Sequence, residues 1–226
     1  MKYTVPEIVR TSALVQTRGE YVLNGGQAMG LVIHYSAGRY EDGSKSARQT
    51  LHHMGKSGLG CMAMDTDGKL YRAENMDTDG KLYRAENQTL QQVAYHCGKA
   101  TWQGKTRLSY YLMGIEVCCA GKLEDATGKT WFGQQVGKEN TRKITEKSDN
   151  IKPGLYHKFT DLQEASLINF CLWQLDTNPN FNIDFIVGHD EIAPTRKTDP
   201  GGSLSMSMPD FRELIRNLHN GNSGSA

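Results

Sequence analysis

The stretch from Gly188 to Gly201, Gly-His-Asp-Glu-Ile-Ala-Pro-Thr-Arg-Lys-Thr-Asp-Pro-Gly, constrains this chain more than any other. It follows the apolar run Phe185-Ile186-Val187, which reads as a short buried strand. Pro194 and Pro200-Gly201 then forbid regular structure, so the segment reads as a stiff loop. His189, Lys197 and Asp199 put an imidazole, an ammonium and a carboxylate on that one loop, more than a plain turn requires.

Histidine and aspartate are both zinc ligands, and a catalytic zinc usually takes three protein ligands plus a water. His189 and Asp199 supply two. The best candidate for the third is His34, which closes the apolar run Leu31-Val32-Ile33. Two histidines at the carboxyl ends of buried strands converge if the strands are near neighbours, because ligands gather at that edge of open α/β sheets.

These residues resemble a known family. Leu31-Val32-Ile33-His34-Tyr35-Ser36, Met113-Gly114-Ile115-Glu116 and the segment Gly188–Gly201 are similar to the type 2 N-acetylmuramoyl-L-alanine amidases. That family includes phage amidase endolysins, a muropeptide-recycling amidase and the peptidoglycan recognition proteins. The resemblance runs with gaps from about Gly30 to about Leu218. It implies an α/β fold, a single domain with a central mixed β-sheet flanked by helices on both faces. It also implies Zn2+ on His34, His189 and Asp199, and hydrolysis of the amide joining N-acetylmuramic acid to L-alanine. Glu116 lies in an apolar strand, where a charge is costly without a role. Its role would be to move the water's proton to the leaving nitrogen; the other reading is a buried carboxylate paired with a basic side chain. Lys197 would stabilise the oxyanion, or be an ordinary surface lysine. The family also places an aromatic-His-small-Gly element and a Trp along the substrate groove, here Tyr95-His96-Cys97-Gly98 and Trp102. His96 is read either as a substrate contact or as a satisfied structural histidine. Cys61 stands where many phage members carry a catalytic Tyr, and Glu116 with Asp199 matches the subgroup without it.

The expected function is that of a phage-type lytic endolysin. The alternatives are a cytoplasmic muropeptide-recycling amidase and a non-catalytic peptidoglycan-binding module; the module is disfavoured because binding-only relatives lose a ligand. Some phage amidases also bind RNA polymerase, and nothing in the sequence bears on that. The expected partner is peptidoglycan or a muropeptide, met by a monomer. A net charge of +1 gives no field for nucleic acid. No apolar run approaches a membrane span. Met1 to Glu7 shows no apolar core behind Lys2, so a cytoplasmic start is expected, with action on the wall if the chain is an endolysin. Five cysteines without a signal peptide argue against a disulfide framework, and Cys118, Cys119 and Cys171 read as buried apolar side chains.

With 226 residues the chain is long enough for one domain with a full core. Residues 1–29 show no clear period and read as an N-terminal arm, 30–220 as the zinc amidase domain, and 221–226 as a flexible tail. Ser44 would cap a helix to about Met54, with Ala47, Leu51 and Met54 on one face. His52 and His53 on that helix read as surface histidines. Met64–Asn75 recurs without change as Met76–Asn87. One perfect copy is no solenoid and reads as a tandem duplication. The first Asp67-Gly68 should make the hairpin after Gly60–Met64. The second copy should leave the sheet as an insertion. Residues 121–158 read as a long solvated loop, in which Trp131 either touches substrate or anchors the loop. Thr160 to Gln163 is a capping box before a helix with Ala165, Ile168, Leu172 and Leu175. Ser207 and Pro209 open a last amphipathic helix.

Overall fold

The computed structural model describes residues 3–16, 21, 26–40, 45–76, 93–124, 126–148 and 150–223. A six-stranded mixed sheet forms the centre. Its strands are β1 (Ile8–Gln16), β2 (Gly30–Tyr35), β3 (Met62–Met64), β4 (Leu70–Met76), β7 (Leu112–Val117) and β10 (Ile186–Gly188), in the spatial order β1-β4-β3-β7-β2-β10. Strands β3, β7, β2 and β10 run parallel, while β4 turns back against β3 and β1 lies parallel to β4. Helix α1 (Lys45–Lys56) covers one face. The other face packs on α2 (Asp161–Thr177) and α4 (Met208–Ser223), through Leu31, Ile33, Met113, Ile115, Leu167, Phe170, Phe211 and Ile215. The expected helix-flanked mixed sheet is what the chain forms.

Local chemistry explains most of the elements. Strands β2 and β7 are buried on both faces, so they read as apolar runs rather than alternations. On α2, Thr160 Oγ1 accepts from Gln163 N at 3.1 Å and Thr160 N donates to Gln163 Oε1 at 2.9 Å, which is the expected capping box. The buried residues of α2 are Gln163, Leu167, Phe170, Cys171, Leu172 and Gln174; of the expected stripe, Leu172 is among them, Ile168 and Leu175 pack partly buried against the core, and Ala165 faces solvent. Two buried glutamines disguise the true face; Gln163 Nε2 donates to Cys118 O at 3.0 Å. Ser207 Oγ accepts from Asp210 N at 3.2 Å, and the helix α4 it opens runs through Ser223, past the expected start of the tail. The N-terminal arm supplies the edge strand β1. Residues 121–158 carry an antiparallel ribbon of β8 (Thr141–Ile144) and β9 (Gly154–His157), whose four-residue strands are too short to register as a period.

The hairpin falls where the first copy predicts it. Asp65 N donates to Lys69 O at 3.0 Å and Gly68 N to Asp65 O at 2.9 Å, and Met64 then pairs with Leu70. Asp65 is fully buried, and its Oδ2 accepts from Ala47 N in the first turn of α1 at 3.1 Å. One copy therefore closes a strand pair and caps a helix. Ser44, the expected cap, lies outside the described residues, as does the second copy beyond Met76. Because the copies are identical, deleting either gives the same chain with the same Asn-Gln junction. We expect the deletion of Met76–Asn87 to leave the melting temperature and activity at or above those of the full chain, since loop length costs little entropy. Loss of folding on deletion would mean that both copies are built into the core.

Candidate metal centre

Strands β2, β7 and β10 end side by side, and the proposed residues come with them. In the parallel register of β2 and β7, His34 lies beside Glu116, so the two share the face covered by α1. Strand β10 delivers His189, the first residue of the one-turn helix α3 (His189–Ile192). The segment that Pro194 was expected to keep irregular thus begins with a helical turn, because Pro194 falls after it. Glu191 fixes that turn. Its Oε2 accepts from Gly188 N at 2.9 Å, and its carboxylate takes a two-pronged bond from Arg212 of α4, with both contacts at 2.9 Å. Asp199 returns to the same point. The backbone N of Asp190 donates to Asp199 O at 2.7 Å, and the hydroxyls of Tyr35 and Thr198 bond to one another beside it.

Three atoms meet there. His34 Nδ1, His189 Nδ1 and Asp199 Oδ2 form a triangle with every edge at 2.9 Å. All three residues are buried. The outer ring nitrogens decide what the inner ones carry. His189 Nε2 faces Cys97 O at 3.0 Å, and a carbonyl only accepts, so Nε2 holds the hydrogen. His96 Nε2 faces Leu112 O at 2.9 Å and holds its hydrogen for the same reason. His96 Nδ1 is then an acceptor, and His34 Nε2, 3.0 Å away, must be the donor to it. In neutral rings, both Nδ1 atoms therefore point lone pairs at each other and at a carboxylate oxygen. Burial disfavours the charged forms of His34 and His96, pushing them down to about 4 and about 3.

Three acceptors with no proton between them call for a cation. Tetrahedral ligands at about 2.0–2.1 Å from zinc stand roughly 3.3 Å apart, so the triangle is slightly tight but the right size. Two imidazoles and a carboxylate are also the donor set of an open, catalytic type of zinc site. The cluster fits a metal, and the carbonyls of Cys97 and Leu112 with His96 form its orienting outer ring.

A cavity of about 510 Å3 opens over the triangle, lined by Glu116, Lys197, Tyr35, His96 and, from α1, Gln49, Thr50, His53 and Met54. Burial pushes the Glu116 carboxyl well above the usual carboxylate range; Asp199 adds to the shift and the Lys197 ammonium opposes it. No ion pair to Glu116 exists among the described residues, against the reading of a structural carboxylate.

Residues 24–202 match the family described as N-acetylmuramoyl-L-alanine amidase. The chain belongs to that family. Membership supports N-acetylmuramoyl-L-alanine amidase activity. No curated protein sequence matches the chain. Among solved structures, a selenomethionine derivative of AmpD superposes with a TM-score of 0.54 at 18% identity, over 93% of this chain and 96% of that one. The endolysin amidase LysCS from Clostridium intestinale gives 0.50 at 15%, over 96% and 97%. AmpDh3 from Pseudomonas aeruginosa in complex with anhydromuramic pentapeptide gives 0.50 at 16%, over 83% of this chain and 59% of that one. At these identities the likeness shows the amidase fold.

The remaining expectations divide. His96 touches the cavity but spends both ring nitrogens on His34 and Leu112, so it supports a ligand. Gly114 makes room for it: a Cβ there would meet His96 Nδ1 at 2.8 Å. Trp102 is not among the cavity-lining residues. Its indole N–H donates to Asp184 O at 2.9 Å, ahead of β10, and Arg212 stacks over its ring at 5.6 Å. That is a packing role at the opposite end of β10 from His189. His53, read as a surface histidine, lines the cavity from α1. The sequence reading missed Tyr35, and Arg196, whose guanidinium donates to Cys97 O at 2.8 Å and Lys99 O at 3.0 Å. Tyr35 follows His34 directly, and that adjacency was the available signal.

Proposed function

We propose that this chain is a zinc-dependent amidase that cuts the bond between the lactyl group of N-acetylmuramic acid and L-alanine in peptidoglycan, and that it works as a monomeric, phage-type lytic endolysin. The observation that carries the reading is the triangle of lone pairs on His34, His189 and Asp199, open to a cavity that also holds Glu116 and Lys197. Zinc held there would supply Lewis acidity toward a carbonyl oxygen and make a water more acidic. Glu116 takes a proton from the attacking water and returns it to the leaving nitrogen, and a raised pKa makes its ionised form the stronger base. Lys197 donates to the oxygen on which negative charge develops. A full ligand set beside both groups favours an enzyme over a binding module. The muropeptide held by the AmpDh3 relative supports the substrate class. Exposed Leu59, Tyr95 and Trp131 near the cavity suit a polymer better than a small soluble fragment, which favours lysis over recycling.

The test is the release of peptides with a free L-alanine amino terminus from intact sacculi and from soluble muropeptides. Release from sacculi supports the endolysin, and release from soluble fragments alone supports recycling. No release by zinc-loaded protein would leave a binding module. Lys197→Met should keep zinc and fold but lose ~10²–10³ in rate, as for a lost oxyanion donor. Near-normal turnover would reduce Lys197 to a surface lysine.

A further inference from the structure

Large apolar side chains left in water ask for an explanation when they gather at one place. Leu59, Tyr95 and Trp131 are among the exposed ones, and all three stand around the metal cavity. Leu59 lines it. Tyr95 immediately precedes His96, and its carbonyl accepts from Gly60 N at 2.9 Å. Trp131, 66% exposed, donates its indole N–H to the carbonyl of Ala37 at 2.6 Å, and Ala37 lines the cavity.

Trp131 is held rigidly. It sits in a tight turn in which Thr130 N donates to Gln134 O at 2.9 Å, Gly133 N to Thr130 O at 2.9 Å, and Gln134 N to Thr130 Oγ1 at 2.8 Å. Phe132 meets its ring edge-on, with centroids 5.4 Å apart and planes at 88°. Its one polar atom is already bonded, so what faces water is aromatic surface on a fixed support. A preorganised indole loses little freedom when a ligand stacks on it.

The chemistry of the substrate class selects the occupant. A stem peptide is flexible and charged, and offers no flat apolar face. A β-linked pyranose with equatorial substituents presents axial C–H bonds as an apolar face that matches an indole. Ala37 lies three residues beyond His34, at most ~11 Å along the chain, so the indole is tethered within reach of a sugar next to the reacting one. We propose that Trp131 is a stacking platform for an N-acetylated pyranose of the glycan strand. This rests on the amidase reading.

The experiment compares wild type, Trp131→Ala and Trp131→Phe on two probes: the peptide-free disaccharide N-acetylglucosaminyl-N-acetylmuramic acid, with binding followed by NMR, and a sugar-free lactyl-peptide, with cleavage followed as KM and kcat. Trp131→Ala should bind the disaccharide about tenfold more weakly and cleave the lactyl-peptide with unchanged KM and kcat. Trp131→Phe keeps a stacking face but loses the bond to Ala37, and should bind the disaccharide much as wild type does. Undiminished disaccharide binding by Trp131→Ala, or none by the wild type, overturns the proposal. So does an equal loss on both probes in both variants, which would make Trp131 a loop anchor only. Failure of the wild type to cleave any lactyl-alanine bond counts against the amidase reading, and the disaccharide arm still decides this one.

Discussion

His34→Ala is expected to empty the metal centre and abolish amide hydrolysis while the protein stays folded. His34 supplies one of three candidate ligand atoms spaced 2.9 Å apart, and the two that remain would not enclose an ion on their own. Loss of an orienting partner outside the ligand shell typically costs about 10–100-fold in affinity. Loss of a ligand should exceed that, so zinc should not survive dialysis. The fold should persist because the α2 and α4 face of the sheet, built on Leu31 and Ile33, is untouched. In the metal-free protein the substitution also removes one of three mutually facing acceptors. Zinc content, circular dichroism and sacculus hydrolysis are the measurements. Chelation of the wild type should reproduce the loss and added zinc should reverse it, whereas zinc should not rescue His34→Ala. Full zinc occupancy in the variant would mean that the ligand assignment is wrong.

The three candidate ligands were legible because each carries its own punctuation. His34 and His189 end apolar runs, and Asp199 stands before Pro200-Gly201 in a segment with no room for a regular element. The sequence could not display the outer ring in the same way. Its acceptors are the carbonyls of Cys97 and Leu112, and a carbonyl leaves no mark in residue type. Trp102 shows a related limit. The resemblance placed a Trp near the groove, but the hairpin of β5 (Thr101–Trp102) and β6 (Lys105–Thr106) turns this indole toward Asp184.

The fold was legible where burial is two-sided and obscure where it is partial. Strands β2, β7 and β10 lie side by side in the sheet, and each reads as a continuous apolar run. Strand β1 shifts its register on β4 between Arg10 and Leu14, so no steady alternation runs along it. Helix α2 hid its true face because Gln163 and Gln174 are buried and polar at once. Each such glutamine needs a partner that only the folded chain supplies, and Gln163 finds it in Cys118 O.

Glu116→Gln is expected to retain zinc and fold yet lose about 10²–10⁴ in kcat, the usual contribution of a positioned acid–base. The amide matches the carboxylate in size and still hydrogen-bonds, accepting through Oε1 and donating through Nε2, but cannot accept the water's proton. KM should change little, since Glu116 acts on the water and the leaving nitrogen rather than on the remote parts of the substrate. Wild-type kcat should rise with pH as Glu116 ionises, and the variant should lack that limb. Stability gives an independent check with a definite sign. Burial raises the Glu116 pKa in the folded state, so the folded protein holds that proton more tightly than the unfolded chain does. The stability from this group is complete below the ordinary carboxylate range and is lost as pH rises toward the folded pKa. Glutamine does not titrate. In the metal-free protein the melting temperature of Glu116→Gln should therefore gain on the wild type as pH climbs through that window. A structural carboxylate paired with Lys197 would behave in the opposite way, with a lower melting temperature in the variant and near-normal turnover, and that pair of results would remove Glu116 from the mechanism.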